Sequence, residues 1–242
     1  MGNAEAWSVG ARLREHALVE RVLDVVLAAS GLVLLLPVLL LAALAIKLES
    51  RGPVLYRCRR VGRGGRDFDM LKFRKMRMDA SGPPLTAVDD ERFTRMGRFL
   101  AKTKLDEIPQ LLNVLAGSMS LVGPRPEDPA FVSLRRAEYD RILSVKPGIT
   151  GLAQLAFARE MEILDPDDRV GDYIRRVMPQ KMLLDELYVR LRSNRMYVGA
   201  LWWTVVAVGL RREVAVSRTT ARMNLRRRSA PAAGEAQMEG VA

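Results

Sequence analysis

The sequence predicts an α+β, mainly helical protein: a Pro-broken apolar N-terminal membrane helix, a compact domain with a small β-hairpin, and an interfacial C-terminal helix. Three observations carry that prediction. The 22 residues from Val25 to Ile46 include no charge. Downstream stretches such as Glu91 to Ala101 place apolar residues at helical spacing. A basic, Gly-rich turn, Arg57 to Arg66, stands between two short apolar runs, as a hairpin requires. These features divide the chain into an N-terminal segment (1–20), a membrane helix (21–47), a compact domain (48–212) and a basic tail expected to be disordered (213–242).

A helix over Val25 to Ile46 is about 33 Å long, enough to cross a bilayer core. Its length, the preceding Asp24 and the lack of a following A-x-A site argue against a signal peptide. Pro37 lies mid-run, where a proline removes a backbone hydrogen bond and bends a helix. Both flanks are basic: Arg12, Arg14 and Arg21 before the run, Lys47, Arg51, Arg57, Arg59, Arg60, Arg63 and Arg66 after it. Basic residues mark the cytoplasmic side. A helix that bends at Pro37 and returns satisfies both flanks, and a straight span oriented by the more basic C-terminal flank remains the alternative.

After Gly52-Pro53, Val54 to Tyr56 forms a strand candidate, followed by the Gly-rich turn and by Asp67 to Met76, with Lys72, Arg74 and Lys75 interleaved among Phe68, Met70, Leu71 and Phe73. Asp79 to Asp90 reads as an exposed loop. At the centre, the acid pair Asp106-Glu107 precedes Pro109 and the helically spaced Ile108, Leu111, Leu112 and Leu115. Proline is favoured in a first helical turn, so the pair is expected at a helix N-terminus, where dipole and free N–H groups favour negative charge. Gly123-Pro124-Arg125-Pro126 ends this stretch in a corner. Asp128 to Val145 is predicted as one amphipathic helix, Ile149 to Leu155 as a short strand and Arg169 to Arg195 as a charged helix. Met196 to Leu210 is 15 uncharged residues with Trp202 and Trp203, closed by Arg211-Arg212. At about 22 Å it is short for a span, and paired Trp beside Arg favours the membrane interface over a core helix.

The formal net charge of +11 and an isoelectric point near 10.4 call for a polyanionic partner: nucleic acid, anionic lipid or a phosphorylated substrate. With one cysteine, Cys58, and one histidine, His16, an intrachain disulfide and cysteine zinc sites are excluded, and Ser-His-Asp, Cys-His and multi-His metal arrangements are strongly disfavoured. Chemistry must run on carboxylates, Lys, Arg, Tyr or hydroxyls. Adjacent carboxylates can divide the roles of nucleophile and Mg²⁺ ligand, and Arg and Lys supply donors to phosphate. Prolines on both sides of Arg125 restrict its backbone. Taken singly, the acid pair reads equally as a helix cap and Arg125 as a turn residue. A membrane-anchored DNA-binding protein is the competing reading, from the helix-turn-helix-like stretch Phe93 to Leu115, although its second helix offers only Gln110 and Asn113 to bases.

The order of motifs is more specific than any one of them. Leu71-Lys72-Phe73-Arg74, Leu105-Asp106-Glu107-Ile108-Pro109-Gln110-Leu111, Asn113-Val114-Leu115, Met119 to Pro126 and Lys146-Pro147-Gly148-Ile149-Thr150-Gly151, with Asp185, Tyr188 and Ser193 further on, follow the Pro-broken helix and Gly52-Pro53-Val54. In this arrangement the chain resembles the bacterial sugar transferase family, the monotopic phosphoglycosyl transferases acting on polyprenyl phosphate, in its minimal form. It departs from the common pattern at Leu36, Ala101 and Ser118, where a Ser, an Arg and an acid are frequent. The resemblance implies transfer of a sugar-1-phosphate from a nucleotide diphosphate sugar, usually a UDP-sugar, to polyprenyl phosphate. It implies Asp106 as nucleophile, Glu107 as ligand of an Mg²⁺ cofactor, and Arg125, Lys72 and Arg74 as phosphate contacts. Pro37 becomes the break of a re-entrant helix, and Pro124 and Pro126 frame the arginine. The implied setting is the bacterial cytoplasmic membrane with the catalytic domain on its cytosolic face. The partners are polyprenyl phosphate, the nucleotide sugar and phospholipid; nucleic acid is not among them, and a homodimer is left open.

Overall fold

Residues Asn3–Glu49 form a single α-helix, α1, in the computed structural model, which describes residues 3–82, 85, 90–158 and 163–226, with side chains from residue 16. Its 47 residues extend about 70 Å. Pro37 lies inside it and the helix continues through that position, so the expected proline break is not expressed as an interruption. The segment before residue 21 is likewise part of the helix. Along α1, Glu20, Asp24, Ala28, Ala42 and Ile46 are buried, whereas Val33, Leu34, Leu40 and Leu41 face outward, Leu34 being 80% exposed. The stretch His16–Glu49 is long and apolar enough to cross a membrane.

The hairpin that follows pairs β1 (Leu55–Val61) antiparallel with β2 (Asp67–Phe73), from Leu55 opposite Phe73 to Val61 opposite Asp67. Its turn is a 3-10 segment, Arg63–Gly65, in which Gly64 and Gly65 have φ of 70° and 74°. The positive φ at both residues calls for glycine there. Cys58, Val61, Met70 and Phe73 turn inward, while Arg59 meets Asp67 on the outer face at 2.9 Å.

Helix α2 (Arg95–Thr103) starts at Thr94, whose hydroxyl accepts the Gly97 N–H, later than Glu91 because Phe93 instead bridges Met76. Helix α3 (Gln110–Ala116) ends at the left-handed Gly117, and the Arg21 guanidinium donates to the Val114 and Leu115 carbonyls at its end. Strand β3 (Ser120–Val122) pairs in parallel with β4 (Gly148–Thr150). Between them the predicted single helix is two: α4 (Pro129–Leu134) and α5 (Arg136–Ile142), divided where Arg135 takes φ −138° and ψ 43°. The strand expected to reach Leu155 stops at Thr150, and α6 (Leu152–Ala156) follows Gly151.

Helix α7 (Arg169–Asp172) runs through a π-helical turn, Tyr173–Val177, into α8 (Met178–Leu191). Helix α9 (Asn194–Gly209) is capped by the Ser193 hydroxyl. On α9 Tyr197 and Ala200 are buried, while Trp202 is 64% exposed beside the outward Val198, Val205 and Val208. Residues 213–226 depart from the expected disordered tail. Strands β5 (Val214–Val216) and β6 (Met223–Leu225) form a third, antiparallel pair, with Val214 and Ala221 buried. The rest of the tail, 227–242, and parts of the predicted 79–90 loop lie outside the described residues.

The main core gathers Ala28 of α1, Val114, Met119, Leu121, Leu152, Leu184, Tyr188 and Tyr197. A second cluster lies around Phe131, Tyr139, Tyr173 and Met178, and a smaller third one joins Ala42 and Ile46 of α1 to Phe73 and Leu100. Helix α1 thus enters two cores of the same domain, at positions 28 and 42–46.

Candidate active site

The acid pair sits in a one-turn 3-10 segment, Leu105–Glu107, wedged between α2 and α3 rather than in the first turn of α3. Lys104 opens the turn in the left-handed region, φ 61°, and Pro109 occupies the cap position of α3. This tight corner sends the two neighbouring carboxylates in different directions. Asp106 turns inward and is only 2% exposed. Its Oδ2 lies 3.4 Å from Lys75 Nζ, and the same ammonium stands 5.3 Å from the centre of the buried Phe93 ring. Burial depresses the Lys75 ammonium's proton affinity, with the Asp106 charge opposing that shift.

Glu107 lies between two cations. Lys72 Nζ donates to its Oε1 at 2.9 Å, and an Arg125 nitrogen is 3.8 Å from the same oxygen. Burial favours the protonated form of Glu107, but Lys72 and Arg125 outweigh it and hold the carboxyl well below the usual carboxylate range. Lys72 is held near this position because Asn113 of α3 grips the edge of β2 that faces away from β1. Its Oδ1 accepts the Leu71 N–H at 2.9 Å and its Nδ2 donates to the Asp69 carbonyl at 2.8 Å.

Arg125 is delivered by the turn after β3. The buried Pro124 and Pro126 flank it, and the Gly148 N–H donates to the Pro124 carbonyl at 2.8 Å. Behind the turn, the Asp185 carboxyl of α8 accepts the Arg125 backbone N–H. Burial raises that carboxyl, and Glu127 adds to the effect against Lys181, pushing it up to about 8. Lys181, Glu127 and Tyr173 form a connected polar group next to it, with Lys181 Nζ donating to the Tyr173 hydroxyl at 3.0 Å.

The structure therefore brings together Asp106, Glu107, Lys72 and Arg125, and it separates Arg74 from them. Arg74 is 5% exposed and caps the end of α1: its Nη1 donates to the Arg51 carbonyl at 2.5 Å, and its Nη2 to the Ser50 carbonyl and hydroxyl at 2.8 and 2.9 Å. The expected phosphate contact at Arg74 is thus replaced by a structural one. Strand β2 ends at Phe73, so the alternation that would align residue 74 with Lys72 stops one residue too early. Gly52, at φ 119°, lets the chain pass Arg74, whose Nη1 would be 2.2 Å from a Cβ there. Lys75 is the site residue that motif reading passed over, while Asn113 stood in the motif with no role attached to it. Lys75 was legible only as one more cation in a basic run.

Among the described residues no group of three or more His, Cys, Asp or Glu is placed to hold a metal ion. Two adjacent carboxylates remain, and Mg²⁺ commonly takes one or two of these with the other positions filled by water and substrate phosphate. The ionised Glu107, engaged through Oε1, fits that role.

Residues 15–211 match the family described as bacterial sugar transferase. The chain belongs to this family. Among its relatives, a UDP-glucose:undecaprenyl-phosphate glucose-1-phosphate transferase of Caulobacter vibrioides is 52% identical over 141 residues, 56% of this chain and 53% of the relative. A protein of the same description from Xanthomonas campestris pv. campestris is 43% identical over 168 residues, 63% of this chain and 34% of the relative. The exopolysaccharide production protein PSS of Rhizobium leguminosarum bv. phaseoli is 41% identical over 200 residues, 78% of this chain and 94% of that protein. The chain thus spans about half of the Caulobacter relative and a third of the Xanthomonas one.

Proposed function

We propose that this bacterial sugar transferase moves a sugar-1-phosphate from a UDP-sugar to polyprenyl phosphate through a covalent adduct on Asp106. The observation that carries this reading is a nearly sealed carboxylate, Asp106, held by a single lysine beside a second carboxylate bridged to Lys72 and Arg125. In the first half-reaction an Asp106 oxygen forms a bond to the sugar-bearing phosphorus, and the phosphorus–oxygen bond to UMP breaks, UMP leaving with the electron pair. In the second, a polyprenyl phosphate oxygen attacks the same phosphorus and the acyl-phosphate bond breaks, restoring the carboxylate. Lys72 and Arg125 exchange Glu107 for phosphate oxygens when the donor arrives, which offsets the repulsion between donor and nucleophile. Glu107 would hold Mg²⁺, which supplies positive charge against the diphosphate when bound. The names of the Caulobacter and Xanthomonas relatives support both substrates.

A re-entrant α1 is the topology we favour. Glu20, Arg21 and Asp24, just before its uncharged run, and Ala42 and Ile46, at the end of that run, all pack on one domain. A straight span would carry these two groups to opposite faces of the membrane. The outward leucines of α1 and the exposed Trp202 of α9 would meet lipid, at a surface where a lipid acceptor and a soluble donor can use one phosphate site in turn. Against the DNA-binding reading stand Gln110 and Asn113, the two side chains it would need at base edges, both buried and Asn113 already bonded to β2.

Purified protein with Mg²⁺ is expected to release UMP from a panel of UDP-sugars, with multiple turnovers only when polyprenyl phosphate is added. Asp106→Asn should lower the rate by at least a thousandfold, and normal turnover by that variant would sink the covalent route.

A further inference from the structure

A carboxylate that is 2% exposed needs a counter-charge, because burying an unpaired ion costs several kcal/mol. Lys72 is spent on Glu107 at 2.9 Å, and Arg125 approaches that same glutamate oxygen. The cation paired with Asp106 among the described residues is Lys75, 3.4 Å from Oδ2. We propose that Lys75 is a further catalytic residue, which presents Asp106 to phosphorus and then follows the negative charge onto the phosphoryl group. The proposal rests on Asp106 being the nucleophile.

Three placements carry it. The Lys75 ammonium lies 3.4 Å from Asp106 Oδ2, close enough to hold the carboxylate in place. Lys75 is itself held rigidly: its carbonyl accepts the Thr94 N–H at 3.0 Å, and its ammonium stands against the Phe93 ring. It is fixed from the other side by Gly97 of α2, where a Cβ would fall 1.9 Å from the Lys75 carbonyl oxygen. A mobile surface lysine would have none of these constraints.

During attack the Asp106 oxygen shares its electron pair with phosphorus, and charge builds on the non-bridging phosphoryl oxygens as the bond to UMP lengthens. A cation already at the carboxylate is within one side-chain movement of those oxygens, so it stabilises the transition state more than the resting pair. Lys75 keeps its proton throughout; it supplies charge and position. The same movement uncovers the buried nucleophile, so the ion pair both shields Asp106 from water and yields to an anionic donor.

The test is a single-turnover measurement of UMP release by the full chain in detergent micelles, with Mg²⁺ and no acceptor, using the UDP-sugar that gives the largest signal. Lys75→Met keeps the aliphatic stem and removes the charge; Lys75→Arg keeps the charge. The burst rate of Lys75→Met is expected to fall by about 10²–10³-fold, with donor affinity changed less than about threefold. Lys75→Arg should recover at least about tenfold of that loss. A Lys75→Met burst within about threefold of the unsubstituted protein overturns the proposal. So does a loss that Lys75→Arg fails to recover while both variants melt at the same lowered temperature, since that pattern marks a purely structural ion pair. A normal burst from Asp106→Asn would instead remove the nucleophile assignment itself, whatever Lys75 does.

Discussion

Two stretches of α1 are fastened to the same domain in different ways, one midway along the helix and one at its end. At the first, the helix sends its own polar side chains inward. Glu20 pairs with Arg192, Arg21 caps α3, and Asp24 Oδ1 accepts from the Ser120 hydroxyl at 3.0 Å, the Leu121 N–H at 2.7 Å and the Tyr197 hydroxyl at 2.6 Å. At the second, the contact surface is apolar, Ala42 and Ile46, and polar groups from both sides hold the chain as it leaves the helix. Arg74 of the domain donates to the Ser50 and Arg51 carbonyls just past α1, and Glu49 of α1 accepts the Arg95 and Met96 N–H groups at the start of α2 at 2.7 and 3.0 Å. The difference teaches how a long apolar helix is registered on the domain it packs against. Directional bonds midway along it fix its rotation, and the bonds at its end fix where the chain turns toward β1.

Asp24→Ala is the largest blow to this arrangement. It strips three buried donors of their acceptor, and a loss of roughly 3–5 kcal/mol is expected. In a chain of this size that lowers the melting temperature by about 10 °C or more in detergent, and a shift below 3 °C would mean that the polar stretch is not what registers α1. Arg74→Met is smaller, at roughly 2–3 kcal/mol, because some of the freed carbonyls can turn to water. Its diagnostic is that donor affinity stays within about threefold once the protein is folded. A tenfold loss of donor affinity at unchanged melting temperature would return Arg74 to the phosphate site. Leu34→Ser, on the outward stretch between these two attachments, should leave stability unchanged within about 0.5 kcal/mol and weaken retention on lipid vesicles; a core-sized destabilisation would place that face against protein.

The hairpin was legible because glycines sit where φ must be positive, and the long helix because 22 residues lack charge. The acid pair was legible through the order of its neighbouring motifs. What the sequence could not convey is where regular structure stops. Strand β2 ends one residue before Arg74, and that single boundary turns a candidate phosphate ligand into a helix cap. The break at Arg135 carries no proline or glycine to announce it. Strands β5 and β6 are three residues each in a basic context, so no periodicity could develop. Lys75 was hidden for a related reason: only the bridge from Met76 to Phe93 turns it toward Asp106, and that contact is not local.

The bonds of Asp24 also impose an order on the birth of the protein. Its partners Ser120 and Tyr197 lie 96 and 173 residues downstream. At the usual pace of synthesis, about 5–20 residues per second, Tyr197 leaves the ribosome about 10–35 s after Asp24. Throughout that interval Asp24 waits without the Tyr197 hydroxyl, one of the three donors that surround it in the folded chain. The polar fastening of α1 is therefore among the last contacts of the molecule to be completed.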